Sequence, residues 1–173
     1  MPSVPERQRP VNAAPAALAR FNAATAADAQ AALRACCDSP ALARAVAAGR
    51  PYASADAVVS ATAAAFDALG WDDVLAAMAA HPRIGDRASG PSAAEQSGVG
   101  DGSRAALAEG NVAYEERFGH VFLICASGLS GTGMLAALRE RLGNSPLAER
   151  AVATAELRKI TILRARKLLT GGS

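Results

Sequence analysis

The sequence predicts an all-α, single-domain bundle of about eight helices, with one short extended apolar segment near residues 121–126. Three observations carry this reading. Apolar residues recur at helical spacing through almost the whole chain. Serine or threonine caps and glycine or proline stops punctuate it at helix-length intervals. Only "VFLICA", residues 121–126 between Gly119 and Gly128, is a continuous apolar run too short for a core helix.

The elements follow in order. "MPSVPERQRPVNAA" carries three prolines and no apolar segment, so residues 1–15 are expected to be a disordered tail and 16–170 the folded domain. Thr25, with Asp28 three residues on, caps a helix whose inner face is Ala29, Leu33, Cys36 and Cys37. Ser39-Pro40 starts a short one with Leu42, Ala45 and Val46, stopped by Gly49. Ser54 starts another, with Val58, Thr62, Phe66 and Leu69 inward and Gly70 expected as a left-handed stop. Asp72 caps the next, where Val74, Met78 and His81 fall at i, i+4 and i+7, and Pro82 ends it by disfavouring helix at the residue before. Ser92 opens "SAAEQ", and Ser103 opens a helix with Leu107, Asn111, Tyr114 and Phe118 on one stripe. Leu135, Leu138 and Leu142 mark one more helix, and Ser145-Pro146 starts a long last one through Leu169.

The totals narrow the function. The chain has 173 residues, enough to bury a core without disulfides or a structural metal. Its 18 basic and 16 acidic residues are intermixed, which leaves no electrostatic footprint for nucleic acid. No apolar run approaches the roughly 20 residues of a membrane span. Three cysteines, Cys36, Cys37 and Cys125, fit neither a disulfide framework nor a zinc site, so reduced thiols and a cytoplasmic location are expected.

Four features can carry chemistry. His81 ends a helix, where the dipole favours imidazolium and partial burial opposes it; such opposed effects suit a general acid or base. The plain alternative is a histidine that only complements the dipole. In "SAAEQ", Ser92 and Glu95 have capping-box spacing, yet a helix N-terminus with a hydroxyl, a carboxylate and the Gln96 amide also suits a polar ligand. Arg164 shares a face with the core residue Ile160, so it must snorkel to solvent or meet an anion. His120, with His81, Glu95 and Asp86, has no recognised metal-ligand spacing and reads as a packed residue, as does Cys125. Gly98, Gly100 and Gly102 lack the strand and helix context of a phosphate loop.

Taken together and in order, nine blocks resemble the OHCU decarboxylases, which act on 2-oxo-4-hydroxy-4-carboxy-5-ureidoimidazoline in urate catabolism. The blocks are "FN" at 21–22, "CCDS" at 36–39, "RP" at 50–51, "HPRIG" at 81–85, "SAAEQ" at 92–96, "YEERFG" at 114–119, "FLICASG" at 122–128, "RLGN" at 141–144 and "ELRKITILR" at 156–164. The resemblance implies an all-α homodimer that releases carbon dioxide without metal or organic cofactor and yields (S)-allantoin. It implies His81 and Glu95 as catalytic residues. It also implies substrate contacts from Pro82, Ser92, Gln96, Arg164 and the segment Phe122, Leu123, Ile124, Cys125 and Ala126. Leu42, where an aromatic often follows the cysteine block, and the short stretch between Gly85 and Ser92 depart from the pattern. Two other readings stand beside it: a metal-dependent hydrolase of a cyclic ureide using His81, His120 and an acid, and a non-enzymatic helical interaction module.

Overall fold

The computed structural model describes residues 13–86 and 100–171. Among these residues there are eight helices and no strand: α1 Ala13–Ala23, α2 Ala26–Cys36, α3 Pro40–Ala48, α4 Ala55–Asp67, α5 Trp71–Ala79, α6 Asp101–Phe118, α7 Gly131–Arg141 and α8 Pro146–Thr170. The all-α class is as expected. The proposed tail lies largely outside the described residues.

The caps read from the sequence hold where a side chain makes them. Thr25, Ser39, Ser54 and Ser145 each accept a hydrogen bond from the backbone amide three residues on, and Pro40 and Pro146 occupy first-turn positions where no intrahelical amide is needed. Four expectations are corrected. Helix α1 precedes the one that Thr25 caps; its alanine-rich face gives little periodic signal, and Pro15 is tolerated because it lies in the first turn. Gly70 is not a left-handed stop: α4 closes at Ala68, and Gly70 is the extended N-cap of α5, with φ −75° and ψ 165°. Asp72 therefore lies inside the first turn, where its charge complements the helix dipole. Likewise α6 begins at Asp101, two residues before Ser103.

Helix α8 is the spine. It packs against α1, α2, α4 and α5, while α6 and α7 pair with each other. Two apolar cores result. The larger gathers Phe21, Leu33, Leu42, Val58, Phe66, Met78, Leu157, Ile160 and Leu169 with their neighbours; the smaller gathers Ile84, Leu107, Tyr114, Met134 and Leu138. Gly110 brings the α6 and α7 axes together, since a Cβ there would stand 2.6 Å from Leu138 Cδ2. Arg50 ties α1 to α3 by donating to the carbonyls of Ala47, Phe21 and Ala24 at 2.9, 2.9 and 2.6 Å.

The segment 121–126 joins the two cores. It is neither helix nor paired strand, but its side chains alternate as in a strand. Val121, Leu123 and Cys125 pack on the larger core, and Phe122, Ile124 and Ala126 on the smaller. Burial on both faces explains why the run is continuously apolar.

Candidate active site

Three elements meet at His81. Helix α5 ends at Ala79 with Ala80 as its cap, so His81 stands just beyond it, held on the last turn by its amide bond to Met78 O at 3.0 Å. The ring is 9% exposed. Its Nδ1 lies 3.1 Å from Ala77 O; a carbonyl only accepts, so Nδ1 carries a proton. Nε2 lies 3.4 Å from Nη1 of Arg164, a group that only donates, which makes Nε2 the accepting position. Arg164 projects from α8, half-buried, and the same Nη1 reaches Ala35 O near the end of α2 at 3.5 Å.

Cys36, on α2, lies within reach of the Arg164 charge. Burial pushes its thiol up to about 11, and the Arg164 charge only partly opposes this. Cys37 is raised as well, first by burial. Both thiols are therefore protonated at neutral pH and pack as apolar groups.

The turn after His81 rests on one stripe of α6. Arg83 Nε and Nη2 donate to the two Glu115 carboxylate oxygens at 2.5 and 2.9 Å, Asn111 Nδ2 donates to Ile84 O at 2.9 Å, and Arg104 Nη1 donates to Gly85 O at 2.8 Å. Gly85 has φ +94°, which a side chain would strain.

The backbone of 121–126 is held by charged groups. Arg141 Nη1 donates to Leu123 O at 2.7 Å, and the Cys125 amide donates to Glu156 Oε2 at 2.8 Å. Arg141 is fixed in turn by Glu149, a carboxylate with no exposed side-chain surface, through Nε and Nη2 at 2.8 and 2.5 Å. The Tyr114 hydroxyl and Asn144 Nδ2 also donate to that carboxylate. Burial alone would raise the Glu149 carboxyl, but the hydrogen bonds from Arg141, Tyr114 and Asn144 outweigh it and hold the group below its ordinary value.

The comparisons decide the family. The model of the OHCU decarboxylase family matches residues 22–166. The chain belongs to the OHCU decarboxylase family. It is 37% identical over 147 residues to the Arabidopsis thaliana "Uric acid degradation bifunctional protein TTL", covering 78% of this chain and 45% of the plant protein. It is 32% identical over 141 residues to the Amia calva "2-oxo-4-hydroxy-4-carboxy-5-ureidoimidazoline decarboxylase", covering 75% and 81%. The chain thus spans just under half of the plant relative and about four fifths of the fish one. A crystal structure of OHCU decarboxylase in the presence of (S)-allantoin superposes with TM-score 0.70 at 34% identity, over 79% of this chain and 95% of that one. A crystal structure of (S)-allantoin synthase shares the fold, with TM-score 0.66 at 20% identity over 87% and 53%.

Within this OHCU decarboxylase family member, the structure brings His81 and Arg164 together from positions 83 residues apart. Ser92, Glu95 and Gln96 lie outside the described residues. Pro82 follows the imidazole directly and is half-buried. In the segment, Leu123 O and the Cys125 amide are already engaged by protein groups, so they contribute rigidity. His120 packs edge-on to Trp71 and Tyr114, with ring centroids 5.5 Å apart in both pairs. A cavity of about 390 Å³ opens beside it, lined by residues including Leu75, Met78, Glu115 and Val121; neither His81 nor Arg164 lines it. Among the described residues no group of three or more His, Cys, Asp or Glu could hold a metal, and no helix is long and apolar enough to cross a membrane.

Sequence reasoning missed Arg141, Glu149 and Glu156. Tyr114 and Asn111 read only as members of one helical stripe, and nothing in the sequence singles out Glu149 in the first turn of α8. The partners that give them their roles, Glu149 for Arg141 and Tyr114, Ile84 for Asn111 and Cys125 for Glu156, are 8 to 35 residues away in sequence, so no local spacing reports them.

Proposed function

We propose that the chain converts 2-oxo-4-hydroxy-4-carboxy-5-ureidoimidazoline to (S)-allantoin and carbon dioxide, with His81 and Arg164 at the reacting centre. The observation that carries this is the approach of Arg164 Nη1 to His81 Nε2 at 3.4 Å, which sets a fixed cation beside an imidazole lone pair in a largely buried position. The guanidinium suits the carboxylate or a ring carbonyl of the substrate. When the bond to the carboxylate carbon breaks, its electron pair passes into the ring toward the adjacent imine, so the substrate supplies its own electron sink. No cofactor is required by that balance. The protein's part is to hold the ring, desolvate the carboxylate and control a proton on one face.

His81 fits the proton step, because the Ala77 carbonyl fixes the ring orientation and leaves Nε2 toward the Arg164 side. Ser92, Glu95 and Gln96 enter this reading through the family resemblance, with Glu95 as the partner of His81 and the other two as contacts to the ureido group. A homodimer and a cytoplasmic location complete the proposal, the first supported by the resemblance and the second by a cysteine spacing that fits no disulfide framework.

A substrate that decays unaided makes stereochemistry the test. Freshly generated substrate is given to the purified protein and followed by circular dichroism. The proposal expects an excess of one allantoin enantiomer, formed faster than in the protein-free control; racemic product at the control rate overturns it. His81→Ala should lower turnover by at least about 100-fold, and a variant with near-normal turnover removes His81 from the chemistry.

A further inference from the structure

We propose that Glu156 is a positioning residue for this reaction: its carboxylate fixes the Cys125 amide and thereby holds the segment 122–126 in register with Arg164 on the same helix. The inference rests on the decarboxylase reading of the site.

An extended segment outside any sheet has no ladder to satisfy its peptide groups. Here two charged side chains replace the ladder. Arg141 takes the Leu123 carbonyl and Glu156 the Cys125 amide, at 2.7 and 2.8 Å, one on each side of Ile124. Between these two clamps, the Ile124 N–H and C=O make no hydrogen bond among the described residues. The clamps therefore hold the two peptide units that flank the Ile124 Cα by one group each, and leave the Ile124 N–H and C=O, a donor and an acceptor, open on a segment whose side chains are gripped by both cores.

Glu156 is placed for this as well as for an ion pair. Its side chain is 13% exposed, against 62% for Lys159, so it turns inward while the lysine stays in water. Lys159 Nζ meets Oε1 at 2.6 Å, and Oε2 remains for the amide. One carboxylate is thus shared between a cation on its own helix and the backbone of the wall. Arg164 lies eight residues further along α8, roughly 12 Å at the helical rise. Leu157, Ile160, Thr161 and Ala165 between and beside them are buried, so α8 acts as a rigid ruler. A shift of about 1 Å between reacting groups can cost on the order of 100-fold in rate, and Glu156 is the contact that refers the wall to the helix carrying the guanidinium.

The test uses the full chain with Glu156→Ala, Glu156→Gln and Lys159→Met. Glutamine keeps an acceptor for the Cys125 amide, so E156Q should stay within about threefold of wild-type kcat/KM, as should K159M. E156A should lose roughly 10- to 100-fold, the range expected when a backbone donor is left without its acceptor, with unchanged far-ultraviolet circular dichroism. Wild-type kcat/KM in E156A overturns the proposal. So does E156Q as impaired as E156A, since that assigns the loss to charge and not to the tether. Amide hydrogen exchange across 121–126 reads the tether without any turnover: it should accelerate at least about tenfold in E156A and not in E156Q. Unchanged exchange in E156A sinks the positioning role, whereas an inactive wild type with the expected exchange pattern counts against the decarboxylase reading alone.

Discussion

Replacing Arg141 by methionine tests whether the scaffold behind the site is electrostatic. The substitution keeps an apolar stem of similar reach but removes the donors to Glu149 at 2.8 and 2.5 Å and to Leu123 O at 2.7 Å. Glu149 has no exposed side-chain surface, so water cannot replace the guanidinium, and the Tyr114 and Asn144 donors remain without a counter-charge. Breaking a buried pair from one side costs about 3–5 kcal/mol. For a chain of this length each kcal/mol moves the midpoint by about 2–4 °C, so a fall of about 6–20 °C is expected in a thermal melt. Removing both charges with Arg141→Met and Glu149→Met should recover much of that loss, because the uncompensated carboxylate goes with its partner. The penalty also depends on pH. Because the folded-state Glu149 carboxyl is held below its ordinary value of 4.5, the network's contribution is complete above that value and is lost as pH falls through the lower folded value. The gap between wild type and R141M should therefore narrow in acid. A midpoint change under about 2 °C for R141M, or a double variant no more stable than R141M, refutes the argument.

Two further outcomes follow from the site. Arg164→Lys keeps the charge but loses the planar guanidinium whose Nη1 meets both His81 Nε2 and Ala35 O; kcat/KM should fall roughly 10- to 100-fold with little change in melting temperature, as steady-state assay and melt together will show. Gly85→Ala forces a side chain onto φ +94° and brings its Cβ to 3.3 Å from Leu107 Cβ, an atom that cannot swing away. A loss of about 1–2 kcal/mol by urea unfolding is expected for that backbone conformation, and no loss means that the turn after His81 is not constrained as described.

The helices were legible in the sequence because caps and periodicity are local. Thr25, Ser39, Ser54 and Ser145 act within three residues of themselves, and Leu107, Asn111 and Tyr114 fall on one buried stripe as their spacing requires. His81 was legible in part: its spacing from Val74 and Met78 points to the inner face, where it is buried, although α5 stops at Ala79 and the histidine follows on a turn rather than inside a helix ended by Pro82. What spacing could not supply is the sign of a buried partner. Arg141 follows Met134 and Leu138 on the inner face of α7, at a position an apolar residue would ordinarily take. Glu149 sits where an acid ordinarily serves the helix dipole from solvent. Each looks misplaced alone, and each makes sense only once tertiary contact puts it against the other.

The same logic accounts for the run at 121–126. Continuous apolar character follows from burial on two sides, which a sequence can announce, but an unpaired extended backbone between two cores is unstable unless its peptide groups are met. Apolar side chains cannot meet them. The fold therefore needs charged groups facing the segment from the end of α7 and the middle of α8, and it supplies Arg141 and Glu156 to adjacent peptides of one wall. Helix α8 carries both Glu156 and Arg164, while α5 delivers His81 to the guanidinium. The candidate site is thus built less by the apolar packing that forms the helices than by a few buried ions that tie them to one segment. That is why substitutions far from His81 in sequence, at Glu149 or Glu156, are expected to reach it.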